Sequence, residues 1–282
     1  MKYYKLFNEQ ENHHGFQYQD GLNTDTLPFN SNPEDSCVAG GLYFSDAENI
    51  IEHLNYDYYY IREVEVPEGE LIIKTHTGKC RAHSLFLHKR RSLYEAETWK
   101  WLKEQGVNID KALYWTAYCG HTEIAKTLID LKVDLNIPDI VNGRTPLMWT
   151  IYKGCTEIAQ MLIYAGANFD IQDKGNATAL LYATGGNHKE IAKMLIKVSA
   201  NLDIQDEDGN TALINAAFRG STEILQMLID AKANLDIQNN FGWTALRAAR
   251  KTKIVQMLID AGANTEIKNN VGETYKDYIT EE

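Results

Sequence analysis

The chain has 282 residues, of which 44% are hydrophobic and 24% charged, and its formal net charge is −11. These proportions are typical of a globular protein with a buried core, and the acidic balance argues against nucleic acid as a partner because phosphate binding needs a basic face. No apolar run reaches the roughly 18 residues of a membrane-spanning helix. The N-terminus has no secretory signal pattern, and the four cysteines lack CxxC spacing. We therefore expect a soluble intracellular protein with reduced thiols.

Residues 1–92 contain no internal repeat, and their pattern predicts a small α+β domain. Strands are predicted at Tyr3–Phe7, within Tyr58–Val66 and at Leu71–Lys74, where aromatic and β-branched residues lie between turn residues. The order of these strands in a sheet does not follow from the sequence.

A turn, a strand and a helix are predicted in the middle of this domain. Gly40–Phe44 indicates a turn that leads into a short strand. Ser45 is a common N-cap residue, and Glu48 three positions later completes a capping-box pattern. The sequence therefore predicts a helix that begins after Ser45 and extends to Leu54.

From about Lys111 to Ile267 the sequence repeats itself. Threonines followed two residues later by leucine recur every 33 residues, at Thr145, Thr178, Thr211 and Thr244. A period of this length predicts stacked helical hairpins joined by β-turns. Residues 93–110 are predicted to be a linker with an N-terminal half-repeat, and residues 268–282 a C-terminal half-repeat, because terminal units shield the apolar face of the array.

Each repeat is predicted to contain two helices with defined ends. The threonine caps the first helix, a glycine such as Gly154 ends it, and Ile and Leu four residues apart form the buried face of the second. Gly166 and Gly262 end second helices, and at the matching positions we expect left-handed residues at a cost of roughly 1 kcal/mol each, namely Lys132, Ser199 and Lys232. The fifth repeat is three residues shorter, which predicts an irregular hairpin.

These motifs resemble the ankyrin-repeat family over residues 95–282. The resemblance rests on the period and on Gly143–Leu147, Gly209–Leu213 and Ala165–Asn168. It implies a mostly α solenoid of about five repeats, preceded here by the α+β domain. The histidine that the family carries after Thr-Pro-Leu is replaced by Met148, Leu181, Ile214 and Arg247. The Asn-Leu-Asp-Ile-Gln tract and the N-terminal segment are also similar to ankyrin proteins of giant DNA viruses of amoebae.

The resemblance implies a protein-binding scaffold that holds its partner on a concave face built from turn tips and first helices. The candidate partner-binding residues are the aromatic and charged residues at these places: Tyr118, Arg144, Tyr152, Asp208, Phe218, Arg219, Phe241 and Trp243. Aromatic residues and arginine are frequent interface anchors. The alternative is that the rings only pack on neighbouring turns. Phe241 and Trp243 favour binding, because a tip that projects into water carries two rings.

Other side chains in the sequence are candidates for packing, metal binding or charge interactions. Trp115 and Trp149, three residues before the tyrosines, are predicted to be core residues. Zinc is not predicted, because its four ligands usually come in close pairs and only one mixed pair is present among His76, Cys80, His83 and His88. The basic run His88–Arg91 is interpreted as a solvated linker, and a nucleic-acid or nuclear-import patch is the weaker reading.

One enzyme hypothesis remains as the alternative function. His14-Gly15, Gly41–Ser45 and Glu63–Val66 are similar in order to elements of ADP-ribosyltransferases, where the first two hold the nicotinamide cofactor and a later Glu orients the ribose. Phe16 stands where that family has Ser or Thr, the segment is short for such a fold, and no Glu beyond it is clearly catalytic. The same alternative includes another nucleotide-binding enzyme that the repeats direct to its target.

We therefore predict a non-enzymatic chain, to which no catalytic, cofactor or metal residues are assigned. The expected partner is an unidentified protein, not nucleic acid or a membrane. The chain is expected to be a monomer, and to act in the host cytoplasm if it is viral.

Overall fold

The structure of the protein, a computed structural model, describes residues 2–13, 16–25, 27, 42–54, 57–75 and 77–278. The chain divides into two compact units, residues 1–134 and residues 135–282. The described residues of the first unit contain β-strands and three α-helices, and those of the second unit consist mainly of paired helices joined by turns.

The strands of the first unit build an antiparallel sheet. Among the described residues they are β1 (Tyr3–Phe7), β2 (Asn12–His13), β3 (Phe16–Gln17), β4 (Gly21–Thr24), β5 (Leu42–Asp46), β6 (Tyr60–Glu65), β7 (Ile73–Lys74), β8 (Lys79–Ala82), β9 (Ser84–Leu87) and β10 (Arg91–Ser92). The main sheet has the order β4-β9-β6-β1-β5-β8-β7, with β10 also paired to β6, and β2 and β3 form a separate hairpin. The four predicted strand regions are confirmed as β1, β5, β6 and the shorter β7.

Strand β1 lies at the centre of this sheet, paired with β5 on one side and β6 on the other. Residues on both of its faces are buried, which requires cover on both sides of the sheet. One face holds an apolar core formed by Phe7, Tyr18, Leu42, Phe44, Val64, Cys80, Ala82, Leu85 and Leu87. On the central strand Lys5 is also buried, and its ammonium donates to the Tyr43 carbonyl.

The predicted helix from Ser45 to Leu54 is wrong. Ser45 belongs to β5, and its hydroxyl donates to the Gly78 carbonyl at 3.1 Å instead of capping a helix. Only a short 3-10 helix, Ile50–His53, follows. Strand β5 lies between β1 and β8 and every one of its residues is buried, and this tertiary gain outweighs the local capping-box preference.

The interpretation of His88–Arg91 as a solvated linker holds for His88, Lys89 and Arg90, which are exposed and lie outside any strand, but it is wrong for Arg91. Arg91 begins β10 and pairs with Ile61 of β6. The Arg91 guanidinium lies 4.0 Å from the ring centroid of Trp101, and that of Arg90 lies 4.2 Å from that of Tyr60. These cation–π contacts attach the two arginines to the first unit.

The helices follow the sheet in chain order. Among the described residues they are α1 (Ala96–Glu104), α2 (Ala112–Cys119), α3 (Thr122–Asp130), α4 (Pro146–Tyr152), α5 (Thr156–Tyr164), α6 (Ala179–Gly185), α7 (Lys189–Lys197), α8 (Ala212–Arg219), α9 (Thr222–Asp230), α10 (Ala245–Ala248) and α11 (Thr252–Asp260). In the first unit α1 packs on α3, and Trp115 of α2 is 4% exposed, which confirms it as a core residue. In the second unit the first helices α4, α6, α8 and α10 contact one another in succession, as do the second helices α5, α7, α9 and α11.

The predicted helix ends are confirmed. Each repeat threonine accepts a hydrogen bond from the amide three residues later, at 3.3 or 3.4 Å. Lys132, Ser199 and Lys232 have φ of 59°, 65° and 66°, so they take the left-handed conformation in place of glycine. The paired isoleucines and leucines of the second helices are at most 4% exposed: Ile124, Ile158, Ile191, Ile224, Ile254, Leu128, Leu162, Leu195, Leu228 and Leu258.

The irregular fifth hairpin is confirmed as well. Helix α10 has four residues, and the chain is extended at Ala249 and Lys251 before α11 begins. The C-terminal segment restarts the motif with a left-handed Gly272 and a short 3-10 helix, Tyr275–Tyr278.

Candidate functional site

The recurring Asn-Leu-Asp tract links consecutive repeats of the second unit. Within a repeat, the Asn201 side chain accepts a hydrogen bond from the Asp203 amide at 3.1 Å. Between repeats, Asp203 accepts from the Asn234 amide at 3.0 Å. The same pair of bonds recurs at neighbouring repeats. The donors are backbone amides and the acceptors are the Asn and Asp side chains of the tract, so the tract itself links each repeat to the next.

The glutamine that follows the tract makes a second link. The Gln205 amide donates to the Gly209 carbonyl of its own turn at 2.5 Å and to the Gln238 carbonyl of the next repeat at 3.0 Å. Gln238 repeats this with Gly242 at 2.6 Å and Lys268 at 2.9 Å. One side chain thus closes a turn and holds the next repeat in register.

An aspartate or asparagine before each turn holds the turn closed. Asn239 accepts from the Phe241 and Trp243 amides at 3.0 and 2.9 Å, and Asp139 accepts from the Arg144 amide at 3.1 Å. Asp173, Asp206 and Asn269 make equivalent bonds. These residues restrain the turns of repeats in which the family's histidine is replaced. The tips are consequently held in one conformation before any partner arrives.

Large apolar side chains project from these turn tips. Ile140 is 76% exposed, Val141 77%, Phe241 58% and Val271 76%. Trp243, in contrast, is partly buried, with its ring 5.9 Å from that of Phe241 and 4.8 Å from the Arg247 guanidinium. Val271 was missed at the sequence level, although its place two residues after Asn269 matches that of Phe241 after Asn239.

Arg144 lies inside a cluster of rings and is not free on the surface. Its guanidinium lies 5.0, 4.9 and 5.2 Å from the ring centroids of Trp149, Tyr152 and Tyr182, and its Nε lies 3.9 Å from Asp173 Oδ2. The side chain of Arg144 is 22% exposed. The cluster therefore joins the second repeat, which contributes Arg144, to the third, which contributes Tyr182 and Asp173.

The prediction that Trp149 is a core residue is wrong. It is only partly buried, and its indole donates to Asp139 at 2.9 Å. Tyr182 lies 33 residues later, and its hydroxyl donates to Asp173 at 2.6 Å. Burial and this hydrogen bond both raise the pKa of Tyr182. Tyr182 was not predicted as a site residue, although its position one period after Trp149 was a signal that could have identified it.

The remaining predicted residues differ in exposure and surroundings. Tyr152 is 56% and Phe218 38% exposed, both at the ends of first helices of the second unit. Arg219 and Asp208 are exposed charged residues beside Phe218 and at the fourth tip. Tyr118 is 46% exposed and belongs to the first unit.

The segment similar to ADP-ribosyltransferases lies inside the sheet as far as it is described. Tyr43 and Phe44 are 5% and 3% exposed, and the Tyr43 hydroxyl accepts from Arg81 at 3.0 Å. His14, Gly15 and Gly41 lie outside the described residues. The cavity that the described residues form beside Tyr43 measures about 50 Å³, far below the roughly 300–1,000 Å³ of small-molecule sites.

The described residues also contain no group of three or more His, Cys, Asp or Glu side chains that could hold a metal. Of the candidates considered, His76 lies outside the described residues. Cys80 is 2% exposed, and burial, with a contribution from Asp46, raises the pKa of its thiol to about 11. A metal-binding thiolate is therefore disfavoured at this position.

Comparison with known proteins identifies the repeats. The family model of ankyrin repeats (3 copies) matches residues 91–173, 164–239 and 180–269. Together these matches cover more than half of the chain, so the chain belongs to the ankyrin-repeat family. Over the part of the chain that the structure describes, no helix is long and apolar enough to cross a membrane.

Relatives from one virus and two crystal structures are similar to this chain. The ankyrin repeat protein R868 of Acanthamoeba polyphaga mimivirus is 37% identical over 138 residues, which are 47% of this chain and 68% of the relative. Protein R869 of the same virus is 37% identical over 110 residues, 38% of this chain and 79% of the relative. An ankyrin repeat domain from Acinetobacter baumannii AYE is 32% identical with a TM-score of 0.56, covering 58% of this chain and 87% of that one. A second crystal structure of an ankyrin repeat protein is 31% identical with a TM-score of 0.56, covering 59% of this chain and 89% of that one. The expected similarity to ankyrin proteins of a giant amoebal virus is confirmed.

Proposed function

We propose that this chain is a non-enzymatic scaffold that binds another protein. In this proposal the repeats of residues 111–267 stack as a solenoid, capped by residues 93–110 and 268–282 and preceded by a separate domain of residues 1–92. Ankyrin repeats are generally protein-interaction modules. The turn tips and first helices form the binding surface, and the chain acts as a monomer.

The observation that carries this proposal is the exposure of large apolar side chains on turns that are already restrained. Phe241 and Val271 are 58% and 76% exposed, yet each sits in a turn closed by an asparagine. Burying such side chains against a partner is favourable by roughly 25 cal/mol per Å² of apolar area. The restrained turns lose little conformational entropy on binding, so more of this gain remains as affinity.

The predicted contact residues divide into two roles in this proposal. Tyr118, Tyr152, Phe218 and Phe241 present exposed rings to the partner, while Asp208 and Arg219 supply charge. Arg144 and Trp243 are partly buried, and they mainly hold the neighbouring rings in position. A surface that spans four or five repeats buries about 800 Å² per partner, the size of a standard specific interface.

We propose a host protein in the cytoplasm of the infected cell as the partner, because the similar curated proteins come from a virus of amoebae. The test is affinity capture from amoeba lysate with the full chain and the variant Phe241→Ala/Val271→Ala. Tyr164→Ala is the matched control, because Tyr164 is 68% exposed on the second helix α5, away from the tips.

We expect a protein that is recovered with the wild type and the control but lost with the tip variant. Circular dichroism should show the same helix content for all three chains. Equal recovery with all three would refute the tips as the binding surface, and recovery of no protein would refute the scaffold function.

A further inference from the structure

Four cationic side chains gather at one edge of the fourth and fifth repeats. This basic edge consists of Arg219, Arg250, Lys251 and Lys253, all exposed. The Arg250 guanidinium lies 3.9 Å from the ring centroid of Phe218, the residue before Arg219. The Lys251 ammonium donates to the Gly220 carbonyl at 2.9 Å. The fifth repeat thus places its cations directly against the end of the first helix of the fourth.

The shortened fifth repeat produces this arrangement. Helix α10 ends at Ala248, and Ala249 and Lys251 have extended backbone angles where the other repeats have the rest of the helix and a left-handed turn residue. Lys253 stands at the second position of α11, where the other second helices carry glutamate: Glu123, Glu157, Glu190 and Glu223. The same edge of the fifth repeat has therefore exchanged an acidic residue for a basic one.

The basic edge forms no ion pair within the described part of the chain. None of its four members takes part in the ion pairs that the described residues form. One repeat earlier, Lys189 is paired with Glu223 at 2.7 Å. The chain as a whole carries a net charge of −11, so a group of cations without ion pairs contrasts with an acidic background. Four cations that form no ion pair among the described residues favour a partner that supplies the carboxylates.

We propose that the basic edge binds a carboxylate-rich segment of the partner protein. Arginine suits this role because its planar guanidinium donates two parallel hydrogen bonds to one carboxylate. Stacking on Phe218 holds the Arg250 guanidinium in one orientation, so less side-chain entropy is lost on binding. Phe218, 38% exposed, adds an apolar contact beside the charges.

A nucleic acid fits this surface less well than an acidic peptide. A phosphate backbone extends beyond four cations and meets the net negative charge of the rest of the chain. A short acidic segment places its charges only where the basic edge lies. The proposal rests on the protein-binding function proposed above and specifies the chemistry of the partner.

The first test measures binding of a fluorescein-labelled oligoglutamate peptide to the full chain by fluorescence anisotropy. The variant Arg219→Glu/Arg250→Glu is compared with Lys193→Glu/Lys197→Glu, which changes the net charge equally at exposed positions of α7. We expect the wild type and the control to bind alike, and the edge variant to lose affinity by about tenfold or more, because each exposed attraction becomes a repulsion. Equal weakening in both variants overturns the proposal, as does tighter binding of an oligo-dT strand than of oligoglutamate by the wild type.

Applying the edge variant to the capture experiment separates this proposal from the scaffold function. If the tip variant loses the captured protein while the edge variant keeps it and oligoglutamate does not bind, the scaffold function stands and the acidic-segment proposal is overturned. If the edge variant loses the protein, the proposal is supported even where the tip variant retains it. Circular dichroism spectra of both variants should match that of the wild type, as required of folded chains.

Discussion

Replacing Arg144 by alanine tests whether its ring cluster joins the second and third repeats. The guanidinium has two faces, so we count two of the three neighbouring rings at about 0.5–1 kcal/mol each. The ion pair with Asp173 at 3.9 Å adds about 0.5 kcal/mol. We therefore expect Arg144→Ala to lower the free energy of unfolding by about 2 kcal/mol.

The assay is urea unfolding followed by far-ultraviolet circular dichroism. Arg144→Lys should recover part of the loss, since lysine retains the charge but not the planar group that stacks on rings. Arg219→Ala is the control, because an exposed substitution changes stability by about 0.5 kcal/mol or less. If Arg144→Ala lowers the free energy of unfolding by no more than the control does, the reasoning is refuted, and Arg144 behaves as an ordinary exposed residue.

Two further predictions concern the backbone and the turns. Ser199→Gly and Lys232→Gly should each stabilise the protein by about 0.5 kcal/mol in urea unfolding, because relief of the left-handed strain exceeds the added entropy of glycine, whereas Gly262→Ala should destabilise it. Burial raises the pKa of Asp139, but hydrogen bonds from the Asn142 amide, the Trp149 indole and the Arg144 amide outweigh it, so the net pKa is lowered. Asp139 therefore stabilises the fold above about pH 4 and loses that contribution as the pH falls through its folded-state pKa, so Asp139→Asn should flatten the acid limb of a plot of melting temperature against pH. Burial raises the pKa of Asp206, so Asp206→Asn should make the acid limb of that plot steeper. Identical plots of melting temperature against pH for the two variants would contradict these opposite pKa shifts.

The repeats could be predicted because their signals are local or periodic. A threonine cap involves residues three apart, and a left-handed helix end involves a single residue such as Lys232. Each of these signals recurs once per period, so an ambiguous copy can be interpreted by comparison with the clear ones. The short fifth hairpin followed from the same comparison, since three missing residues cannot fit a regular helix pair.

The errors arose where a distant residue decides the outcome. Ser45 carries a good local capping pattern, but pairing of its strand with β8 determines its conformation. Trp149 has the spacing of a core residue, yet Asp139 provides an acceptor that keeps its indole at the edge of the core. The sequence alone places Arg91 in a basic linker, whereas the structure pairs its strand with β6.

The candidate surface divides in the same way. The exposed tip at Phe241 was predictable, because a turn position in a repeat is projected outward by the fold itself. The stacking of Arg250 on Phe218 was not predictable, because the two lie in different repeats and meet only through the extended segment of the fifth hairpin. The sequence by itself determined the repeat, the helix ends and the tips, since these depend on near neighbours and on a period. The tertiary structure alone decided which charges and rings meet, because contacts between residues far apart in the chain depend on how the packed backbones bring them together.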